Sequence, residues 1–257
     1  FKSYWYSGEA ELTSYDLEYY RYGEKRQGKA MMIFVTEEFL PGDQVKANSA
    51  SPETLSVMKL NSTKTFNTGI YPYSIMQSAF VHLEKQLPVI KIASSVQEWC
   101  GQQYAQLNHR DDFKIQFHSY FEGEADSTFS IKPTRSENEL WTLLRIQPKD
   151  LKLGQQNVLP DFSYLQLHHK DFKAYKANLE QTEGDFLKTS LTYSELGRKL
   201  VIYQDKTFPH TIEKWEEIEL TSTDILISKA TKIKTLNTKY WQKNSNKYLH
   251  LRDSLSL

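Results

Sequence analysis

The feature that most constrains the fold of this chain is an alternation of apolar and polar side chains with a period of two. The clearest stretch runs from Phe113 to Ile131, where apolar or small residues occupy the odd positions and mostly polar residues the even ones. Successive side chains of a β-strand point to opposite faces, so this pattern predicts strands with one buried and one solvated face. The odd positions shrink to Gly123 and Ala125 near the middle, which is typical of a bend. We therefore expect a long, bent antiparallel strand pair here.

Similar segments recur along the rest of the chain and are rich in Tyr, Phe, Thr, Ile and Val, which favour strands. They lie at 4–15, 17–22, 29–37, 56–63, 70–82, 89–95, 99–107, 162–169, 172–180, 186–193, 198–204, 211–220 and 224–236. The long helices that must alternate with strands in a parallel doubly wound sheet are absent from the pattern. The sequence therefore predicts an all-β fold of long antiparallel strands.

One helix is predicted at about 134–147. Ser136 and Glu139 have the spacing of a capping box, apolar residues follow from Leu140 to Ile146, and Pro148 ends the segment. We expect a single large β domain over 1–238 and a polar tail over 239–257, with a two-part organisation around 148–160 as the alternative. The chain begins with Phe1 and not with Met, so we expect a processed product.

Composition excludes several classes of function. The 32 basic and 32 acidic side chains cancel, which disfavours binding to nucleic acid or to an anionic membrane surface. The longest apolar run, Ala30 to Val35, is too short for a transmembrane segment. The single cysteine, Cys100, excludes an internal disulfide framework and a cysteine-rich zinc site, and its alternating surroundings predict a buried, inert thiol.

The even positions of the Phe113–Ile131 stretch carry the one group of residues that suggests catalysis. Strand alternation would place His118, Glu122, Glu124 and Asp126 on one face. Such a set could hold a hard metal ion or divide acid and base roles in a hydrolysis. The alternative is the ordinary polar outer face of an antiparallel sheet. Phosphate-loop, zincin and Gly-x-Ser-x-Gly motifs are absent from the sequence, so we predict neither a cofactor nor a metal site.

Aromatic residues are unusually frequent on the predicted strands, and they suggest a binding site for an apolar or amphipathic ligand. Aromatic side chains can line a cavity for an acyl chain or form a platform for sugar rings. The alternative is that they are ordinary core and edge residues of a large sheet. The candidate ligand-binding residues are Trp5, Phe66, Tyr71, Tyr73, Trp99 and Trp141.

Three sequence blocks carry a resemblance to a known group of proteins. They are Trp5-Tyr6-Ser7-Gly8-Glu9-Ala10-Glu11-Leu12, Phe66-Asn67-Thr68-Gly69-Ile70-Tyr71-Pro72-Tyr73-Ser74-Ile75-Met76 and Ser95-Val96-Gln97-Glu98-Trp99-Cys100-Gly101. With them the chain resembles an uncharacterised family of secreted proteins and lipoproteins from Bacteroidota. The resemblance implies a periplasmic or outer-membrane-associated protein with an N-terminal lipid anchor upstream, and it carries no established activity.

Some members of that family carry the label septum formation inhibitor Maf, which this sequence does not support. Maf nucleotide pyrophosphatases have a Ser-x-Ser-Pro-Arg-Arg loop in an α/β fold. Here Ser49-Ala50-Ser51-Pro52 is followed by Glu53 and Thr54, so the phosphate-binding arginines are missing.

The succession of long antiparallel strands is also similar to the half-barrel of bacterial lipoprotein carriers. That similarity implies a curved sheet around an apolar lumen, with the helix at about 134–147 as its cap. We therefore expect an extracytoplasmic, non-enzymatic protein that binds a lipid-like or other apolar small molecule in the curved sheet. The alternatives are a metal-assisted hydrolase that uses the acidic strand face, and an envelope scaffold that binds a protein partner through a strand edge.

Overall fold

Strands dominate the structure, a computed structural model that describes residues 1–83 and 87–257. The strands of the first half are β1 (Ala10–Arg21), β2 (Glu24–Leu40), β3 (Val45–Lys46), β4 (Leu55–Thr68), β5 (Tyr71–His82), β6 (Lys91–Glu98), β7 (Gly101–His109), β8 (Phe113–Ser119) and β9 (Ser127–Ile131). Those of the second half are β10 (Arg135–Ser136), β11 (Gly154–Leu159), β12 (Tyr175–Glu183), β13 (Leu187–Tyr193), β14 (Arg198–Gln204), β15 (Ile212–Leu220) and β16 (Ile225–Thr238).

Within the described residues these strands form one sheet. Its order is β10-β11-β12-β13-β14-β15-β16-β1-β2-β4-β5-β6-β7-β8-β9, and β3 pairs with β2. Every pairing is antiparallel except the short one between β10 and β11. The sheet is open and curved, and its concave face carries the main core of buried side chains. The predicted all-β fold built on a curved antiparallel sheet is confirmed.

Few helices accompany the sheet. They are α1 (Lys2–Trp5), α2 (Glu137–Ile146), α3 (Phe162–Leu167) and α4 (His250–Ser254), with 3₁₀ turns at Pro148–Asp150, Tyr240–Gln242 and Asn246–Tyr248. None of the helices in the described ranges is both long and apolar enough to cross a membrane.

Helix α2 is the helix predicted at about 134–147. Ser136 is its N-cap, as predicted, and the Ser136 hydroxyl accepts a hydrogen bond from the Asn138 amide at 3.2 Å. Nine of its ten residues are buried, and its side chains bond to strands from both halves of the sheet. Helix α2 is therefore enclosed by the curved sheet and occupies the space inside the curve.

Helix α3 corrects the strand predicted at 162–169. Its aromatic and leucine residues favour strands, but Asp161 caps a helix here, since its carboxylate accepts from the Tyr164 amide at 3.1 Å. All six residues of α3 are buried.

The antiparallel strand pair predicted at Phe113–Ile131 is present, but the stretch between Ser119 and Ser127 does not continue the strand alternation. It is a turn and not the middle of a long strand, and Gly123 (φ +84°) and Ala125 (φ +49°) both adopt the left-handed conformation. Phe113–Ile131 is thus a hairpin of β8 and β9, with Phe117 opposite Ser127.

The segment after β16 returns to the convex face of the sheet. Leu255 is buried there with Ala10, Leu12, Met31 and Val35. A small second core therefore lies behind β1 and β2.

Candidate functional site

Charged side chains lie inside the curve of the sheet, and α2 carries several of them. The Arg145 guanidinium donates to both oxygens of Glu11 on β1, each at 2.7 Å. The Arg198 guanidinium on β14 makes the same two-pronged contact with Glu137, at 2.6 and 2.7 Å. The side chains of both pairs are only 1–2% exposed. Buried charges are costly unless they are paired, so these two contacts fix α2 to β1 and to β14.

Electrostatic effects in these pairs follow from burial and from the partner charge. Burial acts to raise the pKa of Glu11, but the charge and hydrogen bonds of Arg145 outweigh it and hold that pKa below its ordinary value. Burial acts to lower the pKa of Arg198, and Glu137 reverses this, so its pKa lies well above the usual value. In each pair the partner charge therefore favours the ionised form of the group whose pKa it shifts, Glu11 in one pair and Arg198 in the other.

A small cavity lies beside α2, and we call it the lumen cleft. It measures about 30 Å³, enough for about two water molecules. The indole rings of Trp141 and Trp215 meet edge to face in its wall, with centroids 5.4 Å apart. The rest of its apolar wall comprises Met31, Met32, Leu60 and Ala79, and its polar wall comprises Ser62, Thr63, Lys64, Gln77, Glu137, Asn138, Asp161 and Glu217.

One ion pair crosses the lumen cleft, from Lys64 on β4 to Glu217 on β15. The side chains of Lys64 and Glu217 are 15% and 9% exposed, so this pair is nearer to solvent than the two pairs at α2. Burial acts to raise the pKa of Glu217, but the charges of Lys64 and Arg198 hold it below its ordinary value. The pair is therefore the least deeply buried of the charged contacts that line the lumen cleft or join α2 to β1 and β14.

A network of amides and hydroxyls forms the polar wall of the cleft. The Asp161 carboxylate accepts from Gln77 at 2.9 Å, from Asn138 at 3.0 Å and from the Ser163 hydroxyl at 2.5 Å. The Asn138 amide also donates to the Gln77 carbonyl oxygen at 2.9 Å. Strand β5, α2 and α3 are thus joined at one point.

An aromatic row leads from the cleft to the edge of the sheet. The Lys64 ammonium lies over the Tyr19 ring at 5.2 Å, and Tyr19 stacks on Phe66 at 4.8 Å. The Phe66 and Tyr73 rings are stacked at 5.0 Å. Tyr71 continues the row to Trp99, with centroids 6.3 Å apart. Tyr73 is fully buried and Trp99 is 69% exposed, so the row runs from the core to solvent.

The structure thus brings together five of the six predicted ligand-binding residues, with Trp141 in the cleft wall and the other four in the row. Trp5 lies apart from them and is buried, with the Arg145 guanidinium over its ring at 5.1 Å. It packs against Phe34 and Phe208. Whether any of the six residues contacts a ligand stays a prediction.

The predicted acidic strand face does not exist as one face, because three of its four residues lie in the β8–β9 turn. The imidazole of His118 pairs with Asp126 at 3.1 Å. Glu124 instead accepts from Ser119 at 2.5 Å and Gln103 at 2.9 Å, and its other oxygen lies 2.6 Å from His169. Glu122 is exposed. In the part of the chain that the structure describes, no group of three or more His, Cys, Asp or Glu residues is arranged to hold a metal ion.

Cys100 is exposed, in contrast to the predicted buried thiol, because it lies in the turn between β6 and β7. Its backbone amide donates to the Glu98 carboxylate at 2.7 Å.

Sequence reasoning missed Lys64, Trp215, Glu217 and Arg198. All four lie on strands, and for Lys64, Glu217 and Arg198 the available signal is an isolated charge among residues that face the core. On β15, for example, Glu217 is buried on the same strand as the apolar residues Ile212 and Trp215. An ionisable residue on the apolar face of a strand is therefore the sign that would have identified the cleft.

Comparison with known proteins gives one structural likeness. No family model matches the chain, and no curated protein matches it. A crystal structure of a β-barrel-like protein of domain of unknown function DUF1849 from Brucella abortus matches with a TM-score of 0.43 and 9% sequence identity. The match covers 90% of this chain and 98% of that chain.

Proposed function

We propose that this is a non-enzymatic protein that binds an amphipathic ligand at the lumen cleft. The observation that carries the proposal is the composition of the cleft. Trp141, Trp215 and Leu60 give it an apolar wall, and the Lys64–Glu217 pair adds a polar end near solvent. Ligand sites in proteins are typically apolar with a few convergent polar groups.

The ligand must displace side chains as it enters, because the cleft as it stands has room for about two water molecules. The Lys64–Glu217 pair is less deeply buried than the two pairs at α2, and Glu217 keeps Arg198 as a partner at 3.7 Å when Lys64 moves away. The polar end of the ligand would take the place of one member of the pair. Its apolar part would pack on the indole rings, at about 25 cal/mol for each Å² buried.

Native and organic-extraction mass spectrometry on protein from its own host tests the proposal. The expected result is a stoichiometric lipid or other amphipathic molecule, and titration with N-phenyl-1-naphthylamine should show one competing apolar site. Trp141→Leu and Lys64→Gln should each weaken probe binding about tenfold, which corresponds to about 1.4 kcal/mol. Trp99→Leu, at the exposed end of the row, is the matched control for loss of an indole and should leave binding unchanged.

A protein that carries no extractable molecule and does not bind the probe would contradict the proposal. So would equal loss of binding in Trp141→Leu and Trp99→Leu, because the cleft would then not be the site.

We also propose that the protein acts outside the cytoplasm, anchored by a lipid upstream of this chain. The support is the resemblance of the three sequence blocks to secreted proteins and lipoproteins. Fractionation of the host with a tagged full-length gene product tests it, and a cytoplasmic location would contradict it.

A further inference from the structure

Strand β9 forms one end of the sheet and presents an open edge. Among the residues that the structure describes, β9 pairs with β8 alone. Alternate residues of an edge strand direct their N–H and C=O groups away from the sheet. On β8, Phe113 and Ile115 are fully buried, whereas Phe129 opposite Ile115 is only half-buried. The edge is therefore accessible to another chain.

A large cleft adjoins this edge, and we call it the edge cleft. It measures about 720 Å³ and lies between the β8–β9 hairpin and the segment that follows α3. Its floor is made of phenyl rings, among them Phe117 and Phe172 with centroids 4.9 Å apart. Typical ligand pockets measure about 300–1,000 Å³, so the edge cleft can receive one or more side chains.

The wall of the edge cleft is acidic. Glu122, Glu124 and Asp171 contribute three carboxylates, and Lys170 contributes one ammonium group. Glu124 is held by Ser119, Gln103 and His169, which keeps this wall in place. Glu122 is exposed, and no hydrogen bond to it occurs within the described ranges. Carboxylates above aromatic rings favour a cation, because ring faces and carboxylates both attract positive charge.

We propose that β9 and the edge cleft receive an extended, basic peptide segment of a partner protein. The segment would add a strand to the free edge of β9, and its main chain would supply most of the contacts. Alternate side chains of an added strand point to the same face, so Lys or Arg side chains at every second position would enter the edge cleft. There they would meet the carboxylate of Glu122, and that of Asp171 in place of Lys173, whose ammonium lies 3.6 Å from it.

A second copy of this chain fits the edge less well. The residues of β9 are Ser127, Thr128, Phe129, Ser130 and Ile131, and none of them is basic. Pairing β9 with β9 would also bring two acidic walls together, and like charges at such an interface are unfavourable.

The edge cleft is separate from the lumen cleft. The two cavities share no lining residue. The inference therefore stands or falls independently of the proposed ligand.

Fluorescence anisotropy with synthetic heptapeptides tests the proposal. A fluorescein-labelled peptide of alternating Arg and Val should bind, and a peptide of alternating Glu and Val should not. N-methylation of alternate amides on the Arg–Val peptide should weaken binding at least about tenfold, because it removes the main-chain donors of the added strand. This comparison changes only the peptide, so a difference in binding cannot come from a change in the folding of the protein.

A charge reversal in the protein locates the site. Glu122→Lys should weaken binding of the Arg–Val peptide about tenfold, since it replaces an attractive contact with a repulsive one. Glu53→Lys is the matched control, because Glu53 is an exposed glutamate in the loop between β3 and β4, and it should leave binding unchanged.

Three results would overturn the proposal: no binding of the Arg–Val peptide, equal binding of the Glu–Val peptide, or binding that neither N-methylation nor Glu122→Lys affects. Concentration-dependent dimerisation with hydrogen-exchange protection confined to β9 would also overturn it, since the edge would then serve a second copy.

Discussion

At the scale of the residue, Glu139 is a buried carboxylate whose pKa is raised by its surroundings. It is buried in the first turn of α2, where its carboxylate accepts from the Val89 amide and from Arg135 at 3.1 Å. Burial raises the pKa of Glu139 to about 7, and the opposing charge and hydrogen bond of Arg135 do not cancel this effect. The folded protein therefore holds a proton on Glu139 over a pH range in which the unfolded chain has lost it.

This difference predicts a loss of stability as the pH rises from 4.5 to about 7. In that window the folded state binds more protons at Glu139 than the unfolded state, so the free energy of unfolding falls with pH. Over the whole window the fall amounts to at most about 3.5 kcal/mol, at about 1.4 kcal/mol for each pKa unit. Between pH 5 and pH 7, urea unfolding should show about 2 kcal/mol of this fall in the wild-type protein, and Glu139→Gln should remove it. Glu122→Gln should leave it unchanged, and parallel profiles for wild type and Glu139→Gln would refute the assignment.

At the scale of elements, α2 is held to β1 by the Arg145–Glu11 pair. Removal of one member of a buried pair leaves an uncompensated charge, so Arg145→Met should lower the free energy of unfolding by about 3–5 kcal/mol. Arg145→Met combined with Glu11→Leu should recover most of this loss, because no buried charge then remains unpaired. Chemical denaturation of the four proteins in the cycle measures the coupling. Additive losses in the double variant would show that the pair does not act as a unit.

The start of α2 gives a smaller and more local prediction. Ser136→Ala removes the acceptor for the Asn138 amide and should cost about 1 kcal/mol. Ser222→Ala, in the exposed turn between β15 and β16, is the control and should change stability little. A cost at Ser136 no larger than that at Ser222 would mean that the cap does not stabilise the helix.

Strands, and the one strongly capped helix, are the elements that could be predicted from sequence. Alternation is a local property of the chain, so it locates β5, β13 and β14 to within one residue. It failed at α3, where Asp161 caps a helix made of strand-favouring residues, and at 119–127, where Gly123 and Ala125 form a turn. The lumen cleft could not be predicted, because Lys64 and Glu217 are 153 residues apart and meet only across the curved sheet.

The same limit applies to the predicted binding residues. Aromatic residues near turns could be selected from composition, and Phe66, Tyr71, Tyr73 and Trp99 do form one row. Their contact depends on the register of β4 with β5, which places Phe66 opposite Tyr73. Trp5 could be selected on the same ground, but it lies on α1, before the first strand, and packs against Phe34 and Phe208.

At the scale of the whole molecule, α2 joins the two halves of the sheet. On one side it bonds to β1 and β5 through Glu11 and Gln77. On the other side Glu137 accepts from Arg198 on β14 and from Tyr193 on β13 at 3.0 Å. Because both halves of the sheet bond to the same buried helix, neither half should unfold without the other.

We therefore predict that residues 1–238 unfold as one unit. Far-UV circular dichroism reports on the whole sheet, and tryptophan fluorescence reports on the Trp141–Trp215 contact. The two signals should follow a single urea transition with the same midpoint. Glu137→Gln removes the counter-charge and one of the two acceptors of Arg198, so it should separate the midpoints by weakening the anchor of the β12–β15 wall on α2. Glu183→Gln, at the exposed end of β12, should keep them coincident. Separate transitions in the wild-type protein would contradict the prediction and would favour the two-part organisation around 148–160.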